Sequence, residues 1–338
     1  MKKKKILIIG AGWYGCHIGL FLKKLGHSVK IFEKEKNIFI GSSGFNQFRL
    51  HTGYHYPRSS DTIIETKKNY FKFIKLYKKF IEFPQNNIYC IAKKNSLIDS
   101  ATYKIIIKAH KLKLKKKSFK FLKNIEDSFL SNEGVLLNNK IINFYKKELK
   151  ENIFFKKKIK NINKFRDQYD LVIDCSNTTL KNKLNKNFNY VLTISLVYKK
   201  KVNQPVYAVT IMDGMLPSLY PYADKKDYFT LTHSKYTHIK KFKNFSALEK
   251  YKKSIKNNDV SIIRKNMEKD MTNYFPNFKK LLRYKSYFLS YKVLPDEKSS
   301  KRSIFISRDR NLISCTSPKI TNIFSFQDYV KKIIRNEK

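Results

Sequence analysis

Residues 6–33 spell out a strand, a glycine-rich turn, a helix and a second strand ending in an acid, and few patterns narrow the choice of fold so far. Ile6–Ile9 is a short, wholly apolar run, as expected of a strand covered on both faces in a parallel sheet. Gly10, Gly12 and Gly15 follow at G-x-G-x-x-G spacing within GAGWYG. Ile18, Phe21, Leu22 and Leu25 then recur at helical spacing as far as Gly26, which fits a C-terminal cap. Ser28–Phe32 is the second strand, and Glu33 closes it about twenty positions beyond the glycines. In such a unit the first glycine permits the tight turn, the second lets a diphosphate approach the backbone, and the third lets helix and strand pack closely. The helix N-terminus adds N–H donors and a positive dipole end. Gly10, Ala11, Gly12, Trp13, Tyr14 and Gly15 therefore form a candidate dinucleotide cradle, with Glu33 placed to accept from the adenosine ribose.

A second stretch stands out by its chemistry. The 72 basic residues include only nine arginines, and there are seven histidines. Residues 41–59, GSSGFNQFRLHTGYHYPRS, nevertheless hold Arg49, Arg58, His51 and His55 with Tyr54 and Tyr56, and no lysine. Guanidinium forks and imidazoles bind anions and move protons, whereas lysine is common surface filler. For each histidine a structural hydrogen-bonding role competes with a catalytic one. Arg58, beside Pro57 and ahead of a helix start, equally suits a loop role. The segment offers no carboxylate, so any base in it is an imidazole.

Beyond Glu33 the periodicity changes. Residues 61–83 carry a helical pattern, 87–94 read as a strand, 97–115 as a helix, and 133–150 as strand, turn and helix. Residues 152–162 and 170–177 read as strands, the second apolar enough to be central. After residue 185 short strands dominate and predict an antiparallel sheet, with Asp213–Gly214 at a hairpin turn and Tyr220, Tyr222 and His233 as candidate lining residues. A helical stretch at about 244–283 is divided by Tyr274–Phe275–Pro276. Residues 303–316, preceded by Arg302, a candidate substrate or cofactor contact, read as a hairpin turning at Asp309–Asn311, and 325–335 as a closing helix.

The formal net charge of +46 raises the question of a nucleic-acid partner. Lysines occur in every segment, as KKKK at 2–5, KLKLKKKSFK at 111–120 and KKFK at 240–243, without forming one stripe. Specific nucleic-acid binding is therefore not expected. Cys16, Cys90, Cys175 and Cys315 lie far apart with no C-x-x-C spacing, which predicts no metal and suits a reducing cytoplasm. No run of about 18 apolar residues predicts a membrane span. The basic-then-apolar N-terminus is interrupted by glycines and His17, unlike a signal peptide, so a cytoplasmic location is expected.

A nicotinamide enzyme would continue its βαβαβ units promptly, but this chain regains buried strands only near 152–177. That interrupted layout carries GAGWYG at 10–15, Glu33, GSSGFNQFRLHTGYHYP at 41–57, YDLVIDCSN at 169–177 and SPKITNIF at 317–324. With these motifs it resembles FAD-dependent oxidoreductases of the D-amino-acid oxidase and glycine oxidase superfamily, and more loosely members associated with bacterial surface-polysaccharide loci. The resemblance implies an α/β fold with a discontinuous Rossmann-type FAD-binding domain (1–85, 150–182, 298–338). An antiparallel-sheet-rich α+β substrate domain (86–149, 183–297) would be inserted in it.

The same resemblance implies FAD as cofactor, with Ser42 and Ser43 at its pyrophosphate and Asn46 and Gln47 along the ribityl chain or ring edge. Lys319 and Ile320 would meet the pyrimidine edge. Arg49, His51, Tyr54, His55 and Tyr56 would form the catalytic wall. Arg49 or Arg58 would grip a substrate carboxylate, and His51 or His55 would take a proton or anchor the flavin covalently. The implied activity is that of a bacterial oxidase or dehydrogenase acting at a C–N or C–O bond of a small-molecule substrate. Two other readings stay open: a non-redox flavoenzyme of nucleotide-sugar metabolism, and a degenerate member kept for binding. Asn177 and Pro318, standing where relatives place glycine, motivate the last.

Overall fold

The apolar run at residues 6–9 sits where its chemistry requires, in the middle of a six-stranded sheet and shielded from solvent. The computed structural model describes residues 2–177, 188–222, 224–295 and 304–336. In chain order come β1 (Lys5–Ile9), α1 (Trp13–Lys24), β2 (Ser28–Phe32), β3 (Arg49–Leu50), α2 (Ser60–Tyr77), β4 (Ile81–Glu82) and β5 (Asn87–Ala92). There follow α3 (Ser100–Ala109), β6 (Lys115–Lys116), β7 (Ile125–Ser131), β8 (Gly134–Leu136), α4 (Asn138–Glu148), β9 (Ile153–Phe154) and β10 (Leu171–Asp174). Next are β11 (Phe188–Lys200), β12 (Ala208–Met212), β13 (Pro217–Pro221), β14 (Tyr228–His233), β15 (His238–Phe242), α5 (Phe245–Ser254) and α6 (Asn257–Tyr274). The chain closes with α7 (Phe278–Leu281), β16 (Leu282–Pro295), β17 (Phe305–Asp309), β18 (Leu312–Thr316) and α8 (Ile323–Asn336). This is an α/β fold, and the chain divides into two compact units.

The first unit comprises Met1–Phe45, Asn139–Tyr190 and Tyr291–Lys338. Its sheet runs β17-β18-β10-β1-β2-β9, and every neighbour pair is parallel except β17 with β18. Ile8 lies level with Ile31 on one side and Ile173 on the other. The β17–β18 hairpin closes where expected, with Asp309 opposite Leu312 and Arg310 at a φ of 51°. α8 buries Ile323, Phe326, Val330 and Ile334, one stripe at helical spacing. α1 lies close on the sheet: a Cβ at Gly19 would come within 2.6 Å of Ile31 Cδ1.

The second unit comprises Asn46–Asn138 and Val191–Ser290. Its large sheet runs β15-β11-β14-β13-β12-β5-β7-β6 with β16 beside β11, and β3-β8-β4 form a small second sheet. The strand β5 shows how one sequence feeds two cores. Side chains alternate across a sheet, so Ile88 and Cys90 join Val209, Leu219, Leu231 and the α6 residues Met267 and Met271. Tyr89 and Ile91 point the other way, into a cluster with Tyr54, Ile63, Tyr103 and Ile107.

Several details depart from the sequence reading. Residues 46–85 pack within the second unit and 139–149 within the first, so the boundaries drawn at 85/86 and 149/150 shift. The strand expected over 152–162 shrinks to Ile153–Phe154, since the lysines at 156–158 stay exposed. One pair in the supposedly antiparallel sheet, β5 with β12, is parallel. The helical stretch 244–283 breaks twice, and Asp259 caps α6 by accepting from Lys256 N. Cys175 and Cys315, 140 residues apart, come to 4.0 Å between sulfurs because β10 and β18 are neighbours. Among the described residues, no helix is long and apolar enough to cross a membrane, and no His/Cys/Asp/Glu group could hold a metal ion.

Candidate functional site

In the first unit the chain passes from β1 into α1 through a bend that only glycine fits. Gly10 adopts a φ of +95°, and a Cβ there would meet Cys175 O at 2.9 Å. A Cβ at Gly15 would lie 1.8 Å from Gly10 O. At Gly12 the sole neighbour is the Ser43 side chain, whose Oγ is 2.8 Å from where a Cβ would stand. Gly12 is also the N-cap of α1, so no side chain at that position satisfies the first-turn donors. Ser43 Oγ instead accepts from Trp13 N at 3.0 Å. The Trp13 ring packs against Phe39 and Tyr145. Glu33 is buried; its Oε2 accepts from Ala11 N at 2.7 Å and its Oε1 from Glu35 N at 3.0 Å. A carboxylate has about four lone-pair sites, which leaves capacity for ribose hydroxyls. A helix start whose own N-cap residue is bare backbone, with an acid at the turn, suits the diphosphate and ribose of FAD.

Other expected cofactor residues divide. Ser42 donates to Tyr291 O at 2.7 Å, so its proton is tied inside the unit. Lys319 is buried just ahead of the last helix; its carbonyl accepts from Tyr14 OH at 2.7 Å and its N–H donates to Ser317 Oγ at 3.2 Å. Ile320 opens a short 3-10 turn that leads into α8. Asn177 takes a φ of 57°, the left-handed conformation that asparagine tolerates best after glycine. Its Oδ1 also accepts from Thr316 Oγ1, a tie between strand ends. Asn46 and Gln47 fall in the second unit. Asn46 Oδ1 accepts from Phe48 N in a local turn, and Gln47 Nε2 donates to Thr230 O.

The second unit gathers the arginine–histidine stretch around a group the sequence reading missed, Glu133. Its side chain is fully shielded and lies in the tight connection between β7 and β8. Glu133 Oε1 accepts from Thr52 N at 2.6 Å, and Oε2 accepts from Tyr89 OH at 2.5 Å. His51 Nδ1 is 3.2 Å from the same Oε2. Arg49 donates through Nη2 to Tyr89 OH at 2.8 Å and through Nη1 to Ser218 Oγ at 2.9 Å, and its guanidinium lies 4.4 Å over the Tyr220 ring. Burial alone would raise the pKa of Glu133, but the facing charges of His51 and Arg49 and the hydrogen bonds hold it below the usual carboxylate range. Tyr89 is pushed far up by burial.

The remaining candidates take distinct places. The His51 and His55 rings stack at 5.1 Å, and Tyr56 meets both edge-on at 5.5 and 5.4 Å. All three are partly exposed. Tyr54 is buried in the apolar cluster and donates to Lys113 O at 2.5 Å; burial pushes its hydroxyl up to about 12, out of range for proton transfer near neutrality. Arg58 is exposed and pairs with Asp213 at the hairpin turn. Tyr222 stacks between Phe48 and Phe288, and Tyr220 OH accepts from Asn87 Nδ2. His233 is buried, with Nε2 3.1 Å from Asp270 Oδ2 and Nδ1 accepting from Lys235 N. Arg302 lies outside the described residues. Only rarity marked Glu133 in the sequence, as one of 26 acids in a chain with 72 bases.

FAD-dependent monooxygenase FPY4 of Fusarium mangiferae is 30% identical, covering 98% of this chain and 91% of the relative. It is fungal, and so gives no support to the bacterial origin expected above. Glycine oxidase from Geobacillus kaustophilus shares the fold with a TM-score of 0.69 over 96% of this chain and 91% of that one, at 11% identity. L-α-glycerophosphate oxidase from Mycoplasma pneumoniae, solved with FAD bound, gives a TM-score of 0.69 over 97% and 94% at 13% identity. The family model described as FAD dependent oxidoreductase matches residues 5–298. By that match, over most of its length, the chain belongs to the FAD-dependent oxidoreductase family.

Proposed function

We propose that this FAD-dependent oxidoreductase oxidises a C–N or C–O bond of a small polar substrate, an amino acid, amine or sugar derivative. The first unit holds FAD, and the second recognises the substrate. One observation carries the reading: a patch of partly exposed imidazoles and a phenol, His51, His55 and Tyr56, gathered in a lysine-free stretch beside Arg49. Bound FAD supplies a two-electron acceptor for substrate hydride. The Gly12 backbone, the N-terminus of α1 and the Ser43 hydroxyl receive the diphosphate, and Glu33 the ribose. The histidine pair takes the proton that leaves the substrate nitrogen or oxygen. Arg49 gives one N–H of each terminal nitrogen to Ser218 and Tyr89 and leaves Nε unpartnered among the described residues, while Arg58 is paired with Asp213, so Arg49 is the better donor for the carboxylate grip read from the sequence.

A second reading, insertion of one oxygen atom into the substrate, is favoured by the printed name of the 30% identical FPY4. The deciding experiment starts from the absorption spectrum of purified protein before and after acid precipitation, which reports flavin and any covalent attachment. An anaerobic panel of amines, amino acids and sugar alcohols is then scored by bleaching of the flavin, and products formed under ¹⁸O₂ are weighed. Anaerobic bleaching without ¹⁸O in the product supports oxidation. A product heavier by one ¹⁸O atom supports the second reading, and protein that never takes up flavin defeats both.

A further inference from the structure

We infer that Glu133 is a positioning residue that holds His51 as the Nδ1–H tautomer and makes Nε2 the atom that takes the substrate proton. The inference rests on the oxidoreductase reading above and extends it, by choosing between the two histidines and naming the group behind the choice. Each link is geometric. Glu133 is fully shielded, while the His51 side chain keeps 21% exposure, so the carboxylate is closed to solvent and the imidazole is partly accessible. An imidazole that donates from Nδ1 to a carboxylate presents a more basic Nε2, because the imidazolium formed on protonation stays paired.

The carboxylate is itself locked. Tyr89 oxygen accepts from Arg49 Nη2, which turns the phenol proton toward Glu133 Oε2, and Thr52 N fills Oε1. With these donors and the Arg49 charge nearby, Glu133 stays ionised and does not compete for the proton. Glu133, the stacked His55 and the edge of Tyr56 all face His51, and Tyr89 and Arg49 act through Glu133. Bound FAD would supply the acceptor for the electron pair of the substrate C–H bond, and the role of His51 Nε2 would be to take the N–H or O–H proton. A C=N or C=O bond forms, and the imidazolium later returns the proton to solvent.

The test uses FAD-loaded full-length protein carrying Glu133→Gln, Glu133→Asp or Tyr89→Phe. Two readouts are taken: the His51 titration by ¹⁵N imidazole NMR, and the pH profile of kcat and kcat/KM. Glu133→Gln should lower the His51 titration by about one unit or more and cut kcat about 100-fold with KM and the flavin spectrum little changed. Glu133→Asp should recover part of both. Tyr89→Phe removes a competing donor from the carboxylate, so it should move the His51 titration upward, opposite to Glu133→Gln. A merely structural role would not reverse sign between these variants. Wild-type titration and pH profile retained in Glu133→Gln would overturn the inference and leave the oxidoreductase reading standing. If Glu133→Gln does not fold, a His51 titration that does not rise in Tyr89→Phe overturns it equally. A wild-type enzyme that loads FAD but oxidises nothing in the panel sinks the functional reading itself, and the inference with it.

Discussion

All of the glycine cradle except Ser43 lies between residues 10 and 33, whereas the Glu133 cluster draws groups from strands as far apart as Arg49 and Ser218, 169 residues along the chain. The cradle is made of backbone: its function is the absence of side chains, and a glycine spacing records that absence directly. The cluster is made of side chains brought level by sheet register. β3 pairs with β8 so that Arg49 lies opposite Val135, and β5 pairs with β7 so that Asn87 lies opposite Ser131, which carries the β7–β8 connection and Glu133 to the arginine and histidines. Backbone sites are thus short-range and tolerant of sequence drift elsewhere. Side-chain sites depend on pairings that no local segment specifies.

If that contrast is right, the largest effect should come from the cluster. Glu133→Ala leaves a shielded arginine and a histidine without their counter-charge, which should cost about 3–5 kcal/mol of stability, measured by urea unfolding. The same group gives a pH signature. Its folded pKa lies below the ordinary value, so its stabilisation is complete above that value and is lost as the pH falls through the depressed one. The melting temperature of wild type should therefore drop on the acid side more steeply than that of Glu133→Gln.

A smaller and more local effect is expected in the cradle. Gly12→Ala places a methyl against Ser43 Oγ and nothing else, so it should cost about 1–3 kcal/mol as an overpacking change. Combining it with Ser43→Gly should recover part of the melting temperature of the apoprotein, since the clash goes but the Ser43 bond to Trp13 N goes with it, and should not recover flavin binding, because the methyl remains and the Ser43 hydroxyl is gone. Rescue of both by Ser43→Gly would show that the bare backbone is not the binding element. The smallest change is Arg58→Ala, an exposed ion pair with Asp213, expected to alter stability by less than about 1 kcal/mol and turnover hardly at all. A large loss of activity there would return Arg58 to the site.

The strand–turn–helix–strand start, the β17–β18 hairpin and the last helix were legible because each is specified by neighbours in sequence: glycine turns, two-residue connections and helical spacing. Asn177 was legible in the same way, since its tolerance of a positive φ is intrinsic to the residue. The small-residue turn at 41–44 pointed to two hydroxyls alike, yet only Ser43 reaches the helix start while Ser42 turns to Tyr291. Tyr54 looked like its neighbour Tyr56, but strand and loop geometry sends one into an apolar cluster and leaves the other partly exposed.

By itself, then, the amino-acid sequence determined the bare bend and helix start near residue 12 that we propose for the diphosphate, because that geometry needs only glycines, a helix and an acid in order. It also determined which residue types are rare enough to carry chemistry. Tertiary structure alone decided that the carboxylate beside His51 is Glu133, that Arg49 reaches Tyr89 and Ser218, and that Gln47 bonds to the inner strands β13 and β14. Charges and hydrogen bonds act over a few ångströms of space, and only the pairing of distant strands turns residues far apart in the chain into neighbours at that range.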